Sequence, residues 1–471
     1  MSTDAYTSIH TPAHSLSPSS LGSLIAESAH ILTGAASDYD PLLELIGDAR
    51  FVLLGEASHG THEFYRERAC ITQRLIAEKD FTAVAVEADW PDAYRVNRYV
   101  RNSRHMDKNN VDTNAKEALA GFKRFPAWMW RNTDVVQFIE WLRGYNDSLL
   151  PNSPKVGFYG LDLYSMFTSI EEVLHYLDKV DPDEAQRART RYACFDHYNK
   201  DSQSYGQAVG FGLSGSCEND VVAQLRGLNA RAVNYLQNDG SDAIDALFYA
   251  QQNARLVIHA EEYYRTMYRG HVSSWNLRDQ HMVETLDALA RHLSQNNPNT
   301  SGKPAKIVVW AHNSHIGDAR ATEVGQIGEW NVGQLAREKY GSKAVLVGFT
   351  TYQGTVTAAS DWDASAERKR VRPALVGSYE AALHEAGIAN FMLPLNKQNP
   401  LTQALFARRL ERAIGVIYRP ETERQSHYFY SHMPQQFDAV LHFDHTRAVE
   451  PLELASLWST GEAPETFPVG V

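Results

Sequence analysis

The chain has 471 residues, 43% hydrophobic and 22% charged, the balance of a folded globular protein. Its formal charge is −12, from 57 acidic and 45 basic side chains, which leaves no electrostatic footprint for nucleic acid and disfavours anionic membranes. Three cysteines without ligand spacing, no basic-then-apolar leader and no apolar run near the roughly 20 residues of a membrane helix argue for a reducing, cytoplasmic setting without a disulfide framework.

Residues 1–20, polar and rich in Ser, Thr and Pro, read as a flexible tail, with a helix expected over Leu21–Thr33. Phe51–Leu54 is wholly apolar, as a strand covered on both faces should be, and runs into Gly55-Glu56-Ala57-Ser58-His59-Gly60. A helix is expected over Glu63–Glu78, then a second buried strand over Thr82–Glu87, with Pro91 opening the next helix. Val135–Tyr145 reads as a helix. Lys155–Asp162, Lys306–His312 and Ala344–Phe349 follow as strands, with later candidates at Phe391–Leu395, Ile414–Tyr418 and Ala439–Phe443.

Residues 163–300 show helical periodicity and no convincing strand, and read as an insertion lying over the sheet. Within it, Gly206–Gly215 reads as a movable lid loop. The longest basic cluster, Arg368-Lys369-Arg370 with Arg372, reads as a solvated loop. Strands alternating with helices define an α/β fold. The expectation is one domain over 21–471: a mostly parallel central sheet flanked by helices, with a large helical insertion covering the active-site cleft.

Several strands end in ionisable groups: Glu56 and His59, Glu87 and Asp89, Asp162, and His312-Asn313-Ser314-His315. In a parallel sheet these ends share one edge, where ligands bind. One such residue can be a helix cap; four strand ends point to a shared site. His59 suits a general base that strips a proton from attacking water, with Glu56 fixing its tautomer. Arg68, nine residues on, is a candidate for oxyanion stabilisation. His312 and His315 are read as polar contacts or proton carriers; the alternative is a divalent metal held by His312, His315 and Glu87. Trp128, preferred over Trp130, is the aromatic candidate for substrate contact. No nucleophile elbow, zincin motif, phosphate loop or dinucleotide fingerprint is present.

Leu54-Gly55-Glu56-Ala57-Ser58-His59-Gly60-Thr61, Arg68 and Val86-Glu87-Ala88-Asp89 closely resemble the erythromycin esterase family. So do Trp141-Leu142-Arg143 with Tyr145-Asn146, Gly160-Leu161-Asp162, Arg278-Asp279 with Met282, and Trp310-Ala311-His312-Asn313-Ser314-His315. Ser426-His427-Tyr428 looks like a further family element, and His427 is expected, with Asp162, to contact substrate. The resemblance implies an erythromycin esterase-like catalytic domain that hydrolyses an ester or lactone, the macrolide ring among them; no cofactor is expected, and metal dependence is unsettled across the family. It places His59 at the general base and Glu56, Arg68, Glu87, His312 and His315 at other active-site positions. A metal-dependent hydrolase is the alternative. So is a non-catalytic biosynthesis-accessory protein, against which the intact acid–base set argues.

Overall fold

The computed structural model describes residues 18–102, 112–151, 153–238, 243–268, 271–295 and 303–453. The expected tail over 1–20 lies outside these residues up to position 17, and its last three residues open a helix, Pro18–Ser28.

Nine strands form the central sheet: β1 (His30–Ile31), β2 (Phe51–Leu54), β3 (Ala83–Asp89), β4 (Gly157–Asp162), β5 (Ile307–Trp310), β6 (Ala344–Ala358), β7 (Glu367–Val371), β8 (Asn390–Pro394) and, after a separate ribbon of β9 (Arg409–Arg412) and β10 (Tyr428–Ser431), β11 (Ala439–Thr446). The order is β1-β8-β11-β6-β2-β5-β3-β4, with β7 on β6. The six strands from β11 to β4 run parallel; β8 pairs antiparallel with β11, β1 antiparallel with β8, and β7 antiparallel with β6.

Alternate residues of these strands enter two cores, because strand side chains point to opposite faces with a period of two. Phe51, Leu53, Ala83, Ala85, Ile307 and Val309 face the helical region between β4 and β5. Val52, Leu54, Val84, Val86, Val308 and Trp310 face the helices His62–Lys79 and Thr133–Ser148. Coverage on both faces is why the strands lack polar alternation. Each fully buried Val or Leu contributes about 1.5–3 kcal/mol.

Among its described residues the segment between β4 and β5 holds helices and no strand, from Met166–Val180 to the two long helices Ala243–Thr266 and His271–Gln295. It departs from the sequence reading at the glycine-rich stretch. Residues 206–210 finish a helix, Ser202–Gly210, and only 211–215 form a loop. Gly206 serves close packing: a Cβ there would sit 2.3 Å from the Tyr264 carbonyl oxygen.

Three further expectations are corrected. Ile414–Tyr418 is not a strand; isolated bridges hold it to Ser58 and Ala359, while Ile414 and Tyr418 bury into a small core with Val356 and Val371. The basic run Arg368-Lys369-Arg370 is strand β7, paired with Thr357, Val356 and Thr355. Lys369 is buried there, its Nζ 2.7 Å from Ser360 Oγ. Cys194 and Cys217, 23 residues apart, form a disulfide with Cα atoms 6.0 Å apart. Tertiary packing brings the turn Ala193–Tyr198 to the start of the helix Glu218–Ala230, so spacing along the chain carried no sign of it. The cysteine argument for a reducing compartment therefore fails. Among the described residues no helix is long and apolar enough to cross a membrane.

Candidate active site

Strands β2, β5, β3 and β4 lie side by side and parallel, so their carboxyl ends meet on one edge. Backbone ties fix that edge. Asn313 N–H donates to the Glu56 carbonyl at 2.8 Å, and His312 N–H donates to Glu87 Oε2 at 2.8 Å. Gly55 permits the approach, since a Cβ there would lie 2.0 Å from Asn313 Oδ1. Between Val86 and Asp89 the register of β3 against β4 gains one residue, a bulge of the kind that re-aims side chains beside active sites.

Beyond β2 the chain turns so that Glu56 and His59 meet. His59 Nδ1 lies 3.0 Å from Glu56 Oε1. A carboxylate accepts, so the neutral ring carries its proton on Nδ1 and leaves Nε2 bare toward the cleft. Arg68 Nη2 donates to the other oxygen, Glu56 Oε2, at 2.9 Å. Arg68 is completely buried, beneath the rings of Tyr65 and Trp310. Its Nη2 holds Glu56, while its Nε and Nη1 are buried without a hydrogen-bond partner among the described residues.

His312 stands next to His59, ring centroids 4.8 Å apart. Ser314 N–H donates to His312 Nδ1 at 3.2 Å, which places the neutral ring's proton on Nε2. That Nε2 is buried, with the Ala57 backbone carbonyl as its nearest acceptor but without a fully formed hydrogen bond. Burial, then the neighbouring His59, pushes the His312 imidazole down to about 3. It is a neutral N–H donor.

His315 differs. Its Nδ1 is 2.9 Å from Asp279 Oδ1, and its Nε2 is 3.4 Å from Glu87 Oε1. Burial opposes its charge, but Asp279 and Glu87 raise it to about 9. Trp275 stacks flat on its ring at 4.6 Å. Arg278, on the same helix as Asp279, grips Asp162 with two bonds of 3.0 and 2.7 Å and donates to Glu87 Oε1 at 2.8 Å. Glu87 thus sits between two cations. Burial disfavours its charge, yet His315, His59 and Arg278 hold its carboxyl well below the usual range.

These contacts bear on the metal alternative. Both nitrogens of His315 face protein groups, and Arg278 fills the space between Glu87 and Asp162. Among the described residues no group of three or more His, Cys, Asp or Glu is arranged to hold a metal ion. His312, His315 and Glu87 do not fit one.

His59, Glu87, Asp162 and Arg278 line a cleft of about 210 Å³, with Asp89, Asp92 and Arg124 beside them. Its apolar wall includes Phe122, Phe125, Met129, Trp130 and Trp362. A wider groove of about 760 Å³, bordered by His62, Asp134, Arg370 and Arg447, shares none of these residues. Trp128 borders a separate hollow with Lys123 and Ala366, so of these two candidates Trp130, not Trp128, lies on the cleft. His427 is also off the cleft. Its ring packs 5.2 Å from Tyr418, and its Nε2 accepts from Arg419 N–H at 3.4 Å. Asp162 reaches the cleft, but both its oxygens hold Arg278.

Sequence reasoning gave Arg278 no task, although it is the hub of the ion cluster. It lies mid-helix, 116 residues from Asp162 and 191 from Glu87. Its sequence signal is the Arg278-Asp279 pair, part of the family resemblance, which gave it no role. Arg124 was missed because it follows no strand, and Asp92, three residues past β3, because it is already inside the helix Trp90–Val100.

The fold and site define a class: an α/β protein, its central sheet flanked by helices, with a histidine–carboxylate cleft at the carboxyl edge of its parallel strands. A family profile described as Erythromycin esterase matches residues 76–446, and the chain belongs to the erythromycin esterase family. Among curated proteins it is similar to "Erythromycin esterase type II" of Escherichia coli, 22% identical over 372 residues, covering 75% of this chain and 82% of that one. Two solved structures share the fold. One is of a succinoglycan biosynthesis protein, with TM-score 0.69 and 21% identity, covering 92% of this chain and 98% of the other. The second is of a mutant erythromycin esterase, EreC, in an open conformation, with TM-score 0.65 and 16% identity, covering 89% and 96%.

Proposed function

We propose that this protein hydrolyses a carboxylic ester or lactone, with His59 as the general base that activates water. The observation that carries this reading is the Glu56–His59 contact of 3.0 Å on the cleft wall. Water bound at His59 Nε2 gives up its proton as its oxygen attacks the ester carbonyl. Glu56 stabilises the imidazolium that forms, and Arg68 keeps Glu56 in place. The His312 Nε2–H donates to the developing oxyanion in a buried setting, where such a bond is worth most. Glu87, Asp162, Arg278 and His315 form the charged framework that orients the substrate, and no step requires a cofactor.

The cleft volume of about 210 Å³ lies below the ~300–1,000 Å³ of pockets that enclose a drug-sized ligand. This conformation therefore suits a compact ester, or one edge of a larger ring. The macrolide lactone, suggested by the name of the Escherichia coli relative, is the other arm of the test. Purified protein is incubated with a panel of macrolides, simple lactones and short-chain esters, with His59→Ala as blank. Mass spectrometry should find one panel member that gains water only with wild type. Equal conversion by both proteins would remove His59 from the chemistry, and no conversion at all would remove the hydrolase.

A further inference from the structure

Asp89 and Asp92 stand at the start of the helix Trp90–Val100, three residues apart and so on one face. Both line the same cleft as His59 and Glu87. They are held differently. Asp89 Oδ2 accepts from Arg124 Nε at 2.9 Å, while its Oδ1 is buried and unpartnered. Asp92 makes no hydrogen bond or ion pair with any described residue. The mechanism above leaves the His59 imidazolium, on the side of the attacking water, as its one stated source of a proton for the departing alcohol.

We infer that Asp92 is the acid of this reaction and delivers a proton to the leaving oxygen while His59 handles the attacking water. The inference rests on the hydrolytic reading above. When the tetrahedral intermediate collapses, the bond from carbon to the leaving oxygen breaks and its electron pair goes to that oxygen. The Asp92 carboxyl O–H supplies the proton, so alcohol leaves and Asp92 becomes a carboxylate. The proton that His59 took from water then passes to Asp92 through cleft water. The cycle consumes one ester and one water and yields one acid and one alcohol.

The surroundings of Asp92 suit that duty. Burial, then the Asp89 carboxylate beside it, pushes Asp92 up to about 7. Arg124, Arg95 and Lys123 pull the other way. Arg124 is committed to Asp89 and Arg95 to Asp112, so their charges are partly spent. A carboxyl poised near neutrality both donates and recovers a proton readily.

The test compares two leaving groups on one acyl group. Wild type and Asp92→Asn are assayed on 4-nitrophenyl acetate, whose phenolate leaves without a proton, and on benzyl acetate, whose alkoxide does not. Asp92→Asn should slow the benzyl ester about 10²-fold or more and leave the nitrophenyl ester nearly untouched. It should also abolish the fall in benzyl-ester kcat/KM as pH rises through about 7. Parallel loss on both esters, or no loss on either, would overturn the acid role while leaving His59 hydrolysis standing. A wild type that cleaves neither these esters nor any member of the wider panel would instead bring down the hydrolytic reading, and this inference with it. Melting temperatures of the two proteins show whether the fold is intact.

Discussion

Two neighbouring strand ends carry the same spacing and do opposite things. After β2, Glu56 and His59 lie three residues apart and touch at 3.0 Å. After β5, His312 and His315 have that spacing too, yet their rings part. His312 turns to His59 and is pushed down to about 3, whereas His315 turns to Asp279 and Glu87 and is raised to about 9. Sequence spacing brings a side chain to the cleft; the tertiary partner sets its charge.

That contrast can be broken from the β2 side first. His59→Ala should lower kcat by about 10²–10⁴-fold, the range for loss of a general base, without a drop in melting temperature. Steady-state kinetics with the substrate from the panel checks it, and retained turnover would move the base elsewhere. On the β5 side, His312→Gln should cost about 10²–10³-fold in kcat, as for one oxyanion donor, with KM little changed. A rise in KM alone would make His312 a binding group.

Arg68 sharpens the comparison by separating holding from reacting. Arg68→Met leaves the buried Glu56 carboxylate without its cation and with His59 as its one remaining side-chain partner among the described residues, a change that costs about 3–5 kcal/mol. Urea denaturation should show this loss, and unchanged stability would mean that Glu56 finds another partner. The smallest effect concerns pH. The folded value for His315, about 9, lies above its free value of 6.5, so its stabilisation is whole below pH 6.5 and is lost as pH rises through about 9. Thermal melts across that window should decline less steeply for His315→Gln than for wild type. Parallel curves would mean that His315 is neutral in the fold.

The parts of this arrangement differ in how plainly the sequence shows them. Phe51–Leu54 and Ile307–Trp310 are legible because burial on both faces leaves an uninterrupted apolar run. Glu56, His59, Glu87, His312 and His315 are legible because they follow such runs. Arg278 is not, since a mid-helix arginine looks solvated until folding sets it against Glu87 and Asp162. The choice between Trp128 and Trp130 failed because the short turn Ala127–Met129 sends near neighbours to different hollows. The Cys194–Cys217 bond and the strand at Arg368–Arg370 were hidden likewise, one by packing across the helical region and the other by a hairpin partner of β6.

What distinguishes the two strand ends is where each histidine keeps its proton. Nitrogen-15 NMR of imidazole-labelled protein, assigned with His59→Ala and His312→Gln, reads this directly. The account predicts that neutral His59 carries hydrogen on Nδ1 with Nε2 bare, and that neutral His312 carries it on Nε2. A His59 ring protonated on Nε2 with a bare Nδ1 would contradict it, because no lone pair would then face the cleft.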